Sequence, residues 1–297
     1  MHIFAKFRLV LIGALIATLT PSAASAEDCN RACLQGLVSQ YIEAVLAHDP
    51  SRLPLADDVE YTEGGRLVEM GSGLWETVTA QGTFRHDYLD TTKQVAASHI
   101  EFREGELPVL LSVALHVEGG EIAGIETIVA RITPDSPFQP AVLGEPVRGM
   151  DRPLATGERM SREEMVAVAL KYAEGLRIGN FTDAGTPFAP ETYRVENGVI
   201  TAGEGCFGAE CGLYAQRIMV HPGLLPSVVA VDEENGTVVL WMNFGFTDSY
   251  GPGNALVTFE AFKIWDGSIH AINAFFDFLP IGRSRGWPSE EPVPNIY

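Results

Sequence analysis

The sequence predicts an α+β protein built from two tandem domains, and two observations carry this prediction. The stretch "PLADDVEYTEGG" that begins at Pro54 returns as "PFAPETYRVENG" from Pro187, in a chain of 297 residues that has room for two cores. Each copy also opens with helical spacing and continues with short apolar or alternating runs broken by Gly or Asn-Gly. Helix first and strands afterwards is typical of an α+β domain.

The helical spacing is clear at the start of both copies. Apolar residues recur three and four positions apart at Leu34, Leu37, Val38, Tyr41, Ile42 and Val45, and again at Met165, Val168, Ala169, Tyr172 and Leu176. "SREE" from Ser161 predicts a capping box at the second helix. Later in that copy, "VVAVDEENGTVVLWMNFGF" predicts an antiparallel hairpin.

The repeat extends over most of both halves. Matched residues are Tyr41 with Tyr172, Glu63 with Glu196, and Arg85 with Arg217. "HVEGGEIAGIETI" matches "KIWDGSIHAINAF", and an insertion around "TDSYGPGNA" lengthens the second copy. The repeat period, about 130 residues from Tyr41 to Tyr172, is too long for the stacking units of a solenoid. Each copy is therefore expected to hold its own core.

The chain divides at changes of composition. Residues 1–26 have the features of a signal peptide, since Lys6 and Arg8 precede the apolar run "LVLIGALIATL" and the small residues "SAASA", and cleavage is expected after Ala26. The predicted units that follow are a first domain at 27–131, a Pro/Gly-rich linker at 132–160, a second domain at 161–282 and a tail at 283–297.

A signal peptide predicts a periplasmic or secreted protein. No later stretch reaches the roughly 18 apolar residues of a membrane span, so no membrane association is expected after cleavage. Cysteines in an exported chain favour disulfides, and their spacing favours the local pairs Cys29 with Cys33 and Cys206 with Cys211, while the other pairings stay open.

The charge balance restricts the partners. Lys and Arg number 20 against 39 Asp and Glu, a net charge of −19, which becomes about −21 once Lys6 and Arg8 leave with the signal peptide. Nucleic acid and anionic membranes are therefore excluded as partners, whereas a small apolar or aromatic ligand is compatible. A homodimer is left open. No metal site is expected, because the cysteines lack zinc-site spacing, and the absence of nucleotide-binding motifs predicts chemistry without a cofactor.

Several segments carry a family resemblance. The order of elements, together with "CLQGLVSQYIEAVLAHDPSRLPLADDVEYTEGG", "GLW", "IETIVAR" and "LPIGRSRGW", resembles the nuclear-transport-factor-two-like and ketosteroid-isomerase-like (SnoaL-like) superfamily. Within it, the sequence looks like a secreted tandem-cone family of bacteria and fungi. The resemblance implies two cone-shaped domains, each with N-terminal helices packed in a curved antiparallel sheet around a mostly apolar pocket. It supplies no fixed catalytic signature.

The resemblance also implies a range of activities. The function expected is that of an exported, cofactor-independent lyase or isomerase that acts on a small aromatic or cyclic molecule by general acid/base catalysis. An aldehyde-releasing lyase on phenylpropanoid compounds is one such enzyme. A non-catalytic small-molecule binding module is the first alternative, and a hydrolase or dehydratase is the second.

Isolated polar residues on apolar strands are the catalytic candidates, because a dry pocket shifts their pKa values toward neutrality. Tyr61 and Glu63 lie two residues apart on one face, where the phenol can donate to an oxyanion. Glu126, alone in "IAGIETIVAR", or His86 in "FRHDY" is the expected base. Pairing of Glu126 with a structural arginine is the competing interpretation.

The candidates for substrate binding combine aromatic, basic and polar side chains: Tyr41, Trp75, Arg85, Arg217, His221, Asn273 and Asp277. Core packing for the aromatic residues, and a shared structural role for the arginines, are the alternatives. Asn273 takes the place of Glu126 in the second copy, so the two copies place different polar groups at one site.

Overall fold

The computed structural model describes residues 28–143, 147–206 and 210–287. The predicted signal peptide, its cleavage site and the tail after residue 287 lie outside the described residues. The expected α+β class with two tandem domains is confirmed, since each half contains one long helix and one six-stranded sheet.

The first domain begins with helix α1 (Arg31–Leu46), after Asn30, whose side chain accepts from the Cys33 amide. A short helix, α2 (Leu74–Thr77), follows the first hairpin. The strands are β1 (Leu55–Glu63), β2 (Arg66–Leu67), β3 (Ala80–Asp90), β4 (Val95–Glu104), β5 (Leu107–Glu118) and β6 (Glu121–Arg131).

The second domain repeats this order. Helix α3 (Arg162–Ile178) starts with the predicted capping box, in which Ser161 and Glu164 cap each other's backbone N–H groups, and α4 (Phe181–Ala184) follows it. The strands are β7 (Phe188–Glu196), β8 (Val199–Ala202), β9 (Leu225–Asp232), β10 (Thr237–Asn243), β11 (Asn254–Trp265) and β12 (Ser268–Pro280). The predicted hairpin is β9 with β10.

The two sheets share one topology. Their strand orders are β2-β1-β6-β5-β4-β3 and β8-β7-β12-β11-β10-β9. Each sheet is mixed rather than wholly antiparallel, because β1 pairs with β6, and β7 with β12, in parallel. The register places Glu63 beside Thr127 and Glu196 beside Ala274, which confirms the predicted match of Glu63 with Glu196.

The predicted match of Arg85 with Arg217 is wrong. Asp90 ends β3 and Asp232 ends β9, each next to the following hairpin, so the two strands align at these aspartates. Arg85 lies inside β3, whereas Arg217 lies in the irregular segment before β9. The predicted insertion is confirmed: the β10–β11 connection covers residues 244–253, whereas β4 and β5 are joined by a tight turn at 105–106.

Helices and sheets form layers. Helix α1 packs on one face of the first sheet and α3 on one face of the second, and each buries its own apolar core. The other faces of the two sheets pack together around Tyr88, Trp241 and Phe259. The domains therefore share a third core between the sheets.

Two reciprocal ion pairs cross between the domains. The Arg31 guanidinium donates to both carboxylate oxygens of Asp232 at 2.7 and 2.8 Å, and Arg162 donates to both oxygens of Asp90 at 3.0 and 2.7 Å. Each arginine opens the long helix of one domain, and each aspartate ends a strand of the other. The repeat is thus preserved in the contacts that fix the interface.

The segment predicted as a linker also joins the packing. Val147, Met150 and Leu154 are buried, and Lys263 Nζ donates to the carbonyl of Arg152 at 2.6 Å. In the tail, Arg285 and Trp287 reach back to the first sheet. The connections therefore hold the domains together rather than separating them.

Candidate functional site

A cavity of about 220 Å³ lies in the second domain, where residues of helix α3 and of strands β7, β11 and β12 line it. Its polar lining consists of Tyr172, Arg194, Glu196, Gln216, Arg217, His221, Tyr250, Thr258 and Glu260, and its apolar lining of Leu176, Ile218, Met219, Phe244, Leu256, Ala274 and Phe276. Aromatic walls with a few convergent polar groups are typical of small-molecule sites. At this volume the cavity suits a ligand built on a single ring.

Glu260 lies in the row of residues that crosses the second sheet through Leu240, Ala274 and Glu196. The side chain is only 2 % exposed, and its Oε1 has no hydrogen-bond partner among the described residues. A buried carboxyl oxygen without a partner is costly to maintain. An atom of this kind, in the wall of a cavity, is available to a ligand.

The protonation of Glu260 follows from its surroundings. Burial and the nearby charge of Glu196 raise its pKa to about 8, against the opposing effects of Arg194 and the Tyr172 hydroxyl. Glu260 is therefore largely a neutral carboxylic acid at pH 7. In that form it can donate a hydrogen bond to a substrate oxygen.

Arg194 organises the floor of the cavity. Its guanidinium donates to the Thr201 hydroxyl at 2.9 Å, the Tyr172 hydroxyl at 3.0 Å and Gln216 Oε1 at 2.8 Å, and its Nε lies 3.2 Å from Glu196 Oε2. Burial disfavours its charge, but Glu196, Tyr172 and Glu260 together outweigh burial and raise the Arg194 pKa. Arg194 is thus a fixed cation that holds other side chains in place.

His221 and Tyr250 form a second polar pair in the lining. His221 Nδ1 lies 3.3 Å from the Leu176 carbonyl, an acceptor, so this nitrogen carries the proton and leaves Nε2 as the basic atom. Nε2 is 2.6 Å from the Tyr250 hydroxyl, which donates to it. Burial lowers the His221 pKa, so the imidazole is neutral at pH 7.

Two connections of the second domain build this cavity. The segment 203–224, between β8 and β9, carries Gln216, Arg217 and His221, and its described residues include the predicted disulfide Cys206–Cys211. The connection 244–253 carries Phe244 and Tyr250. The other predicted disulfide, Cys29–Cys33, is also present and lies at the start of α1.

The predicted aromatic and acidic residues of the first domain meet inside its core. Tyr41, Tyr61 and Trp75 are all at most 1 % exposed, and the rings of Tyr41 and Trp75 pack edge to face at 5.6 Å. The Tyr61 hydroxyl donates to Glu63 Oε2 at 3.1 Å, so the predicted pairing of these two side chains is present. The same oxygen accepts from the Leu74 amide at 3.0 Å, which ties Glu63 to helix α2.

The two predicted bases lie on the opposite face of the first sheet. Glu126 accepts from His116 Nε2 at 2.8 Å, from Arg285 Nη2 at 2.8 Å and from the Trp287 amide at 2.9 Å. Burial disfavours its charge, but His116 and Arg285 prevail and lower the Glu126 pKa. The structure therefore gives Glu126 a structural arginine and separates it from Tyr61.

His86 also faces the second domain, because its ring contacts Tyr88 at 4.9 Å between centroids. Burial lowers its pKa. Arg85, on the other face, is paired with Asp87 at 2.7 Å and donates to the Ser39 hydroxyl of α1 at 3.0 Å. The structure does not bring His86 or Arg85 to the Tyr61–Glu63 pair.

The remaining candidates divide between the interface and the cavity. Asn273 Nδ2 donates to His99 Nδ1 at 2.9 Å, between the two sheets. Asp277 lies in a cleft with Arg131, and burial raises its pKa. Arg217 and His221 are the two predicted residues that the structure places together in the cavity of the second domain.

Glu260, Arg194 and Tyr250 were missed by the sequence reasoning. A signal for Glu260 is present in "VTFEAFKIW", where one acid stands alone on an apolar strand. The same pattern marks Glu126 on the last strand of the first copy. For Arg194, the signal is a difference between the two copies: the matching position of the first copy holds Tyr61, and that of the second holds an arginine.

The chain belongs to the family of the domain of unknown function DUF8021, whose model matches residues 27–129 and 158–276. Each matched segment covers one half of the repeat. A search of curated proteins finds no match. The more narrowly described secreted tandem-cone family stays a prediction.

Among solved structures, the chain is similar to a protein from Kribbella flavida DSM 17836 that is described as a candidate ketosteroid isomerase. The identity is 15%, the match covers 36% of this chain and 84% of that chain, and the TM-score is 0.25.

In the described ranges, no three His, Cys, Asp or Glu side chains are grouped to hold a metal ion, and no helix is long and apolar enough to cross a membrane.

Proposed function

We propose that the protein is an exported, cofactor-independent lyase or isomerase, and that its active site is the cavity of the second domain. The observation that carries this proposal is the unpartnered Glu260 Oε1, buried in a cavity that also holds a neutral histidine. Two local disulfides support an oxidising compartment. An aldehyde-releasing lyase would be one member of this reaction class.

The polar groups supply an acid and a base in the forms that proton transfer requires at pH 7. Protonated Glu260 donates to a carbonyl oxygen of the substrate and stabilises the negative charge that develops there. The Tyr250 hydroxyl takes a proton from substrate carbon while its own proton passes to His221 Nε2. Return of that proton to another carbon completes an isomerisation, and loss of a leaving group completes an elimination.

The test uses 5-nitrobenzisoxazole, a neutral aromatic probe that opens when a base removes its ring proton. The proton passes to the base, the ring N–O bond breaks, and a coloured cyanophenolate forms. We expect Tyr250→Phe and His221→Gln each to lower kcat/KM by about 10²-fold, the lower range for general-base catalysis. Tyr61→Phe, the same chemical change in the buried core of the first domain, is the matched control and should leave the rate unchanged.

The pH profile gives a second measurement on the same probe. The rate should rise with pH below 6.5, as His221 loses its proton, and fall as Glu260 ionises near pH 8. In Glu260→Gln the alkaline limb should disappear. Retained binding of the probe with equal turnover in wild type, Tyr250→Phe and His221→Gln would instead indicate a non-catalytic binding module.

A further inference from the structure

Arg217 lies at the mouth of the second-domain cavity and is exposed. Among residues 28–143, 147–206 and 210–287, none forms an ion pair or hydrogen bond with its guanidinium. Arg194, deeper in the same cavity, is by contrast held by Thr201, Tyr172 and Gln216. The two arginines thus differ in function: Arg194 supports the wall, and Arg217 has its donors available.

The charge of the lining is unusual for this chain. Arg194 and Arg217 bring two positive charges, while Glu196, which pairs with Arg194, brings one negative charge. Glu260 and His221 are neutral at pH 7, because burial raises the pKa of the acid and lowers that of the base. One positive charge therefore remains at the cavity, in a protein with a net charge of −19.

Resting on the function proposed above, we propose that the substrate is a small ring-bearing carboxylate whose anionic group pairs with Arg217. A guanidinium presents parallel N–H donors that match the two oxygens of a carboxylate. A phosphate ester, with up to two negative charges, would call for more cations than this mouth provides. The excess of acidic side chains elsewhere on the chain repels anions that lack this local contact.

The ring of such a substrate would enter the cavity. Its walls there are the aromatic side chains of Phe244, Tyr250 and Phe276, which provide stacking and edge contacts. A carbonyl or hydroxyl oxygen on the ring, or between ring and carboxylate, would then meet Glu260. The carboxylate at the mouth fixes which end of the molecule enters first.

The test compares 3-phenylpropanoate with 3-phenylpropanamide, which have nearly the same shape and differ in charge. Calorimetry on the full-length mature protein should show the acid binding about tenfold more weakly to Arg217→Gln than to wild type, with the amide unaffected. Added salt should weaken binding of the acid alone. Arg85→Gln, at an arginine already paired with Asp87 in the first domain, is the matched control and should change neither affinity.

The outcomes separate this inference from the proposed function. Equal affinity of wild type for the acid and the amide, or equal affinity of wild type and Arg217→Gln for the acid, would overturn the role of Arg217 and leave the cavity as the site. Failure of both probes to bind wild type would count against the cavity itself. Because Arg217 is exposed and unpaired, its substitution is expected to leave the melting temperature unchanged.

Discussion

In the first domain, position 113 of strand β5 is a valine with no exposed surface, and the matching position of strand β11 in the second domain is Glu260. Both residues sit in the same row of the sheet, beside Thr127 in one domain and Ala274 in the other. At this position the first domain thus holds an apolar side chain, and the second domain holds a buried acid. The repeat therefore preserves the framework, whereas the interiors of the two domains have diverged.

The connections explain how the two interiors come to differ. In the first domain, residues 68–79 include helix α2, which inserts Trp75 against Tyr41. In the second, the longer segment 203–224 and the inserted connection 244–253 line a cavity instead. We infer that the first domain contributes stability and the interface, and that the second carries the site.

Exchange of the residue types at positions 113 and 260 should have the largest effect and tests the difference between the two interiors. Val113→Glu places a carboxyl in an apolar core where Tyr61 stands at the position of Arg194, so no arginine compensates its charge and the free energy of unfolding should fall by about 3 kcal/mol or more. Glu260→Val, the converse change, removes the donor to the developing oxyanion, so it should lower turnover of 5-nitrobenzisoxazole by about 10²-fold or more and leave the fold intact. Urea unfolding and the probe assay measure the two effects.

Val113→Thr is the control for the first variant, because it keeps the shape and adds no charge. Its loss of stability should be clearly smaller than that of Val113→Glu. An equally stable Val113→Glu would mean that the first interior also accommodates an acid, and the contrast between the domains would fail.

The framework could be predicted from sequence because it depends on local patterns. Apolar spacing located α1 and α3, "SREE" located the helix cap, and cysteine spacing located both disulfides. These features involve residues a few positions apart. The α+β class and the tandem arrangement followed from them.

The site could be predicted only in part, because it depends on which face of a strand is turned inward. A bulge in the pairing of β5 with β6 shifts the alternation next to Gly124, so Ile122 faces the first core whereas Glu126 faces the second domain. His221 is predicted as an unrepeated histidine near a strand, and Arg217 is predicted through a repeat match with Arg85 that the structure contradicts. Glu260 and Tyr250 join the site through contacts between segments that are distant in sequence. Local sequence patterns do not predict such contacts.

Removal of either disulfide should have a smaller effect than exchange of Val113 or Glu260, and the two disulfides can be compared directly because they close loops of similar length. They join cysteines four and five residues apart, so loop entropy predicts nearly equal losses of stability, about 2 kcal/mol each, when either is removed. Replacing Cys206 and Cys211 by serine should also loosen the segment that carries Gln216 and Arg217. We expect about a threefold to tenfold loss of affinity for 3-phenylpropanoate in that variant.

The Cys29→Ser/Cys33→Ser variant is the control, since this disulfide lies at the start of α1 in the other domain. It should lose stability to a similar extent and keep its affinity for the ligand. Calorimetric titration of both variants checks the prediction. A parallel loss of affinity in both would show that the cavity responds to general destabilisation and not to its own segment.

The pH dependence of stability should show the smallest effect, and Glu260 contributes to it through its raised pKa. Because the pKa of this carboxyl is raised from its ordinary value of 4.5 to about 8 in the folded protein, the folded state holds a proton that the unfolded state has lost between these values. The contribution of Glu260 to stability therefore falls as pH rises through that window. Glu260→Gln keeps the size and removes the ionisation, so its melting temperature should gain a few degrees on wild type between pH 5 and pH 9. Glu106→Gln, at an exposed acid, controls for net charge, and a constant difference across the range would mean that Glu260 is ionised in the cavity at neutral pH.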